Sequence, residues 1–123
     1  MGQDPTAQKL YIEWLRRAVS KGTTSALHSK RRYAWDVARS AARILRERYG
    51  ATRVRAFGSI LHSERFHAGS DVDLAVEGIS VADYWDAVAE VFLLDETIAI
   101  DLVDPDSCSP GIWSVVEKEG VDL

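Results

Sequence analysis

The stretch FGSILHSERFHAGSDVDLAV, residues 57–76, decides the reading of this chain. It closes on an apolar strand, DVDLAV, and in a strand residues two apart face the same way. Asp71 and Asp73 therefore project side by side, while Val72 and Leu74 turn to the opposite, core face. Two carboxylates so placed repel, and one takes a raised pKa unless a cation sits between them. Upstream, Gly58-Ser59 ends one apolar run and begins a helix or turn. Glycine lets backbone approach a ligand closely. A helix N-terminus offers free N–H groups and a dipole favourable to an anion, and Ser59 adds a hydroxyl donor. A third acid, Asp101, lies in the middle of the apolar run TIAIDLVD, residues 97–104. A charge there is costly unless paired or bound to metal. If the two strands are neighbours, the three carboxylates converge on one site. Oxygen ligands of this kind suit Mg²⁺, which binds through one or two carboxylates plus phosphate and water. The stretch thus sets a phosphate cradle beside a divalent-metal site, the pair of features that a nucleoside triphosphate needs.

The rest of the chain frames that stretch. Asp4-Pro5 reads as an N-cap and first helical residue. Leu10, Tyr11, Trp14, Leu15 and Ala18 then recur at helical spacing until Gly22. GTTSALHS, residues 22–29, reads as a linker, with Ser29 capping a second helix whose stripe is Tyr33, Val37, Ala41, Ile44 and Leu45 and whose stop is Gly50. TRVRAF alternates, placing Val54 and Ala56 on one face and Arg53 and Arg55 on the other, which makes a strand over about 52–57. Residues 60–65 read as a short helix or turn. Ser80 caps a further helix expected to turn Val81, Trp85, Val88 and Phe92 inward. SPGIWSVVEKEG, residues 109–120, is a last helix, with Ser109 as cap, Pro110 at its first position and Gly120 at its close. Strands alternating with helices imply an α/β (α+β) domain with a small mixed sheet flanked by helices. The expected division is an N-terminal helical extension over 1–28 and a core domain over 29–123.

The chain has 123 residues, one domain's worth, and no apolar run of membrane-spanning length. Its N-terminus lacks the apolar core of a signal peptide. Cys108 is the single cysteine, which excludes an intrachain disulfide and fits a cytoplasmic location. The net charge of −4 hides an asymmetry. Residues 1–65 carry fourteen Lys/Arg and five Asp/Glu, whereas residues 66–123 carry one Lys and fourteen Asp/Glu. Basic helix faces can lie against acidic ones or simply be solvated. Alternatively, the first half meets nucleotide phosphates, nucleic acid or an acidic partner. Because the arginines are dispersed and the second half would repel a long polyanion, a protein partner fits residues 4–49 better than nucleic acid does. His28, His62 and His67 lack zinc-ligand spacing, and Trp14, Trp35, Trp85 and Trp113 read as packing residues.

Taken together, YGATRVRAFGS, RFHAGSDVDLAVEG and IAIDLVD closely resemble the motifs of the minimal nucleotidyltransferases, a family within the DNA polymerase beta-like nucleotidyltransferases. The resemblance covers about residues 30–123. It implies the polymerase beta-like core and an antitoxin encoded beside a HEPN-domain ribonuclease toxin, with which it forms a hetero-oligomer. Such antitoxins transfer AMP from ATP to a tyrosine of the toxin. By the same resemblance Asp71 and Asp73 bind two Mg²⁺ ions, Asp101 completes one metal site, and Gly58 and Ser59 hold the triphosphate. The family's Arg-Gly shortly after Gly-Ser is replaced here by ILHSER, residues 60–65, so Arg65 or His62 is the candidate phosphate cation. Two other readings stand beside this one. In the first, a non-catalytic binding module blocks its toxin by complex formation. In the second, a nucleotidyltransferase acts on a small molecule or an RNA end.

Overall fold

A computed structural model describes residues 9, 10, 12–14, 16 and 24–123. Lys9, Leu10, Ile12, Glu13, Trp14 and Arg16 are helical. The expected cap at Asp4-Pro5 and stop at Gly22 lie outside the described residues. Helix α1 spans Thr24–Tyr49, so most of the expected linker is helix and Ser29 lies within it rather than capping it. Its buried stripe is Ala26, Lys30, Ala34, Ala38, Ala41, Ala42 and Leu45. Alanines let the helix lie close to the sheet. Gly50, at φ +71°, closes it by donating its N–H to Arg46 O at 3.2 Å, the left-handed stop that the sequence indicates.

Strands β1 (Arg53–Phe57), β2 (Val72–Glu77), β3 (Ile100–Val103) and β4 (Val121–Asp122) form one sheet in the order β3-β2-β1-β4. β1 runs antiparallel to β2 and β4, and β2 runs parallel to β3. Helix α2 (Val81–Phe92) is the crossover between the parallel pair, and α3 (Pro110–Glu119) leads into β4. The mixed sheet flanked by helices is the expected architecture. β4 was not anticipated.

Period-two alternation sorts the strand residues onto two covered faces. Val54, Ala56, Val72, Leu74, Val76, Ile100 and Leu102 pack with α1 and α2. Phe57, Ala75 and Val116 pack on the other side, with Val103 and Trp113 of α3 beside them. Full burial of side chains such as Leu45, Ile60 and Leu74 contributes roughly 1.5–3 kcal/mol each. Ser80 and Ser109 cap α2 and α3 by accepting from Asp83 N and Ile112 N.

The inward face of α2 corrects the sequence reading. Tyr84, Ala87 and Val91 are buried, whereas of the four residues expected inward only Val88 packs against the core, and Val81, Trp85 and Phe92 are 93%, 71% and 49% exposed. Both stripes are apolar at helical spacing, and the sheet takes the one with the smaller residues. Trp14 is also exposed, so two of the four tryptophans are not core residues. Part of the charge asymmetry is absorbed internally. Arg48 pairs with Glu90 at 2.6 Å, Arg53 with Asp122 at 2.8 Å, and the buried Arg55 with Glu77 at 2.8 Å. Arg55 also lies under the Trp113 ring, 5.4 Å from its centroid.

Candidate active site

Asp73 and Asp101 occupy paired positions on adjacent parallel strands. Their neighbours fix where they point. Val72 and Leu74, like Ile100 and Leu102, fill the core beneath α1 and α2, which sends both acids to the face that α3 covers. Asp73 is half-buried and opposes Phe57 across the antiparallel ladder, while Asp101 is exposed on the edge strand. Asp71 lies just before β2 and is exposed.

Gly58 follows Phe57 directly. Its φ is +82°, and a Cβ there would stand 2.5 Å from Asp73 Oδ2. The glycine is therefore required twice over, by backbone conformation and by the carboxylate packed against it. It opens a single turn of 3-10 helix, Gly58–Leu61, with no side-chain cap at Phe57. Ser59 accepts through its backbone carbonyl from His62 N; it does not cap the turn.

Burial pushes the Asp73 carboxyl up to about 6, and the charges of Asp101 and Asp71 push in the same direction. Such a group is ionised at neutral pH at a cost that a nearby cation would relieve. Asp71 is placed by a different device. Lys30, buried on the α1 stripe, donates through Nζ to the carbonyls of Ala68 and Ser70, the latter at 3.1 Å. The ammonium also lies 5.5 Å from the Phe66 ring centroid. Burial lowers its pKa, and the nearby Asp71 charge opposes that shift. Lys30 thus ties the loop that delivers Asp71 to the helix behind it. Sequence reasoning missed it, although Lys30 stands at i+4 from Ala26 and i−4 from Ala34, on the stripe that had to be buried.

Arg65 is exposed and, among the described residues, makes no ion pair with the three acids. His62 is turned elsewhere: its Nε2 lies 3.1 Å from Glu119 Oε1 and its Nδ1 3.6 Å from Glu64 Oε1. Arg31, also unanticipated, donates from Nε to Ile60 O at 2.8 Å and holds the end of the turn.

Among the described residues, no group of three or more His, Cys, Asp or Glu side chains is arranged to hold a metal ion. The donor chemistry nevertheless suits a hard divalent cation. Asp73 and Asp101 are paired oxygen donors, Asp73 is an anion disfavoured without a counter-charge, and Mg²⁺ takes one or two carboxylates and fills its shell with water and phosphate.

No family model matches the chain, and no curated protein matches it. Among solved structures it is similar to a chain in the crystal structure of a mutant of the toxin–antitoxin pair MntA-HpeT. The identity is 22% over 69% of each chain, with a TM-score of 0.53. At that identity the likeness is one of fold.

Beside the carboxylates runs an open groove of about 560 Å³. Asp73 and Asp101 line it together with Phe57, Val88 and Phe92 of α2, and Ile112 of α3. Because β3 is the edge strand, the groove wraps round the side of the sheet and joins the exposed face of α2.

Proposed function

We propose that this chain is a divalent-metal-dependent nucleotidyltransferase of antitoxin type, which transfers AMP from ATP to a tyrosine hydroxyl of a HEPN ribonuclease partner. The observation that carries the reading is Asp73 in register with Asp101, with Gly58 packed against Asp73 at the end of β1. The motif resemblance and the fold shared with a chain of a toxin–antitoxin pair support it. Asp71, Asp73 and Asp101 would hold two Mg²⁺ ions, and such a pair, when bound, supplies charge stabilisation for an in-line displacement at phosphorus. The protein's own contribution is positional. Asp73 is fixed by the ladder on both sides, Asp71 by the Lys30 tether, and Asp101 stands at the open edge where an acceptor hydroxyl can approach. Gly58 and Ser59 offer the triphosphate a turn with no side chain at its first position. Arg65 is the proposed phosphate cation; it would have to swing in from solvent.

The test is Asp101→Asn. It should keep most of the ATP affinity measured by calorimetry with Mg²⁺ and lose AMP transfer to the co-expressed partner, read as intact mass, because the lost contact acts in the transfer step. Transfer at the wild-type rate would overturn the assignment. Equal ATP affinity with Mg²⁺ and with EDTA would overturn the metal site.

A second reading, neutralisation by covering the partner without chemistry, is favoured by the turn itself. ILHSER places His62 against Glu119 rather than toward a phosphate. Partner binding with no AMP added by the wild-type protein would favour that reading.

A further inference from the structure

Helix α1 holds the turn Gly58–Leu61 from behind. Ile60 is fully buried, and its carbonyl accepts from Arg31 Nε at 2.8 Å. That bond fixes one nitrogen of the guanidinium fork and leaves the terminal nitrogens without a partner among the described residues. A neutral donor would serve the carbonyl as well, so the tie does not account for the charge. From residue 31 onward the other arginines are of two kinds. Arg39, Arg48, Arg53 and Arg55 pair with carboxylates. Arg32, Arg43, Arg46 and Arg65 have no carboxylate within ion-pair distance among the described residues and are exposed to solvent. Arg31 alone is half-buried with no carboxylate beside it.

A guanidinium so placed is a ready partner for an anion. It is partly removed from water, one bond fixes its orientation, and its planar fork matches the geometry of phosphate. The proposed site needs such a charge, because three carboxylates and a triphosphate carry more negative charge than two divalent ions cancel. The turn sets which phosphates Arg31 meets. Asp73 packs against Gly58, at the start of the turn. Arg31 grips Ile60, about 4 Å further along at the rise of a 3-10 helix.

We infer that Arg31 is a preset cation for the β- and γ-phosphates of the nucleotide. The metals beside Asp73 take the α-phosphate, where transfer occurs, and the rest of the phosphate chain runs along the turn to Arg31. Arg65 joins from solvent, whereas Arg31 is in place beforehand. This deepens the transfer reading above and rests on it for the orientation of the nucleotide.

The experiment uses Arg31→Gln. The Gln amide nitrogen stands as many bonds from Cα as Arg Nε does, so the variant can keep the bond to Ile60 O while it loses the charge and the terminal nitrogens. Calorimetry measures tripolyphosphate, ATP and AMP, each with Mg²⁺, and a thermal melt checks the fold. Arg31→Gln should bind tripolyphosphate and ATP roughly ten- to hundredfold more weakly than wild type, with little change for AMP. Arg31→Lys keeps the charge but not the donor at the Nε position, and it should fall between the two. A purely structural role reverses that order, because Gln preserves the tie and Lys does not. Arg31→Gln binding tripolyphosphate as well as Arg31→Lys would overturn the inference. Equal losses for AMP and ATP would also overturn it, as would a wild type that does not bind tripolyphosphate. Should Arg31→Gln melt below the assay temperature, the ratio of ATP to AMP affinity in Arg31→Lys decides: it should fall below the wild-type ratio, and an unchanged ratio would overturn the inference. Tripolyphosphate carries neither a base nor a transferable AMP, so the two readings fail separately. Loss of tripolyphosphate binding in Arg31→Gln, without AMP transfer by wild type, overturns only the transfer reading. AMP transfer by wild type, with tripolyphosphate affinity unchanged in Arg31→Gln, overturns only the role of Arg31.

Discussion

Replacing Asp73 by Asn should make the metal-free protein more stable at neutral pH, although the change strikes the centre of the proposed site. Burial and the two neighbouring acids raise the Asp73 carboxyl from 3.8 to about 6. The folded protein thus keeps a proton that the unfolded chain gives up. The stabilisation from that proton is complete below about pH 4 and is lost as pH rises through about 6. A shift of roughly two pK units corresponds to about 3 kcal/mol, and solvent screening of a half-buried group reduces this to about 1–2 kcal/mol. Asn has nearly the same shape and never ionises. Wild type and Asp73→Asn should therefore match in stability near pH 4, and the variant should lead by about 1–2 kcal/mol at pH 7, which is roughly 5 °C in melting temperature for a domain of this size. Urea and thermal denaturation in EDTA across that range measure the gap. Added Mg²⁺ should then raise the stability of wild type and leave the variant unmoved. A gap no larger at pH 7 than at pH 4 would refute the reasoning, because the carboxyl would then carry no charge penalty in the fold.

Gly58→Ala should cost roughly 1–3 kcal/mol in urea denaturation, since the new Cβ meets Asp73 Oδ2 at 2.5 Å on a backbone with φ +82°. Wild-type stability would remove the claim that this glycine makes room for the carboxylate. Lys30→Met should cost about 2 kcal/mol by stranding the carbonyls of Ala68 and Ser70. It should also speed amide hydrogen exchange at residues 66–70 more than in the strands, and uniform exchange across the chain would count against a local tether.

The fold was legible where a single chemical signal has a single outcome. Ser80 and Ser109 cap helices because their oxygens reach the third N–H beyond them. Gly50 stops α1 because it takes a positive φ without cost. Alternation in β2 separated Asp73 from Val72 and Leu74, and an acid between Ile100 and Leu102 marked the other half of the pair. Illegible features were those decided by a partner distant in sequence. Two apolar stripes run along α2, and periodicity cannot say which one meets the sheet. Ser29 had the right chemistry for a cap, but the helix had already begun at Thr24. β4 is two residues long and exists only because β1 has an edge to offer. Lys30 looked like one more surface cation in a basic half, because the carbonyls it binds lie about forty residues further on.

Asp71 and Asp73 are two residues apart, yet they answer to different frames. Asp73 is locked to the sheet, with β1 on one side and β3 on the other. Asp71 hangs from a loop whose last carbonyls are gripped by a lysine of α1. The gap between the two carboxylates thus depends on two supports for Asp71, the sheet, where the next residue, Val72, donates to Ala99 O, and the helix packed behind it. Substitutions in the alanine stripe of α1 that slide the helix would reset that gap without touching either carboxylate. Lys30 makes the dimensions of the site an output of how closely α1 packs.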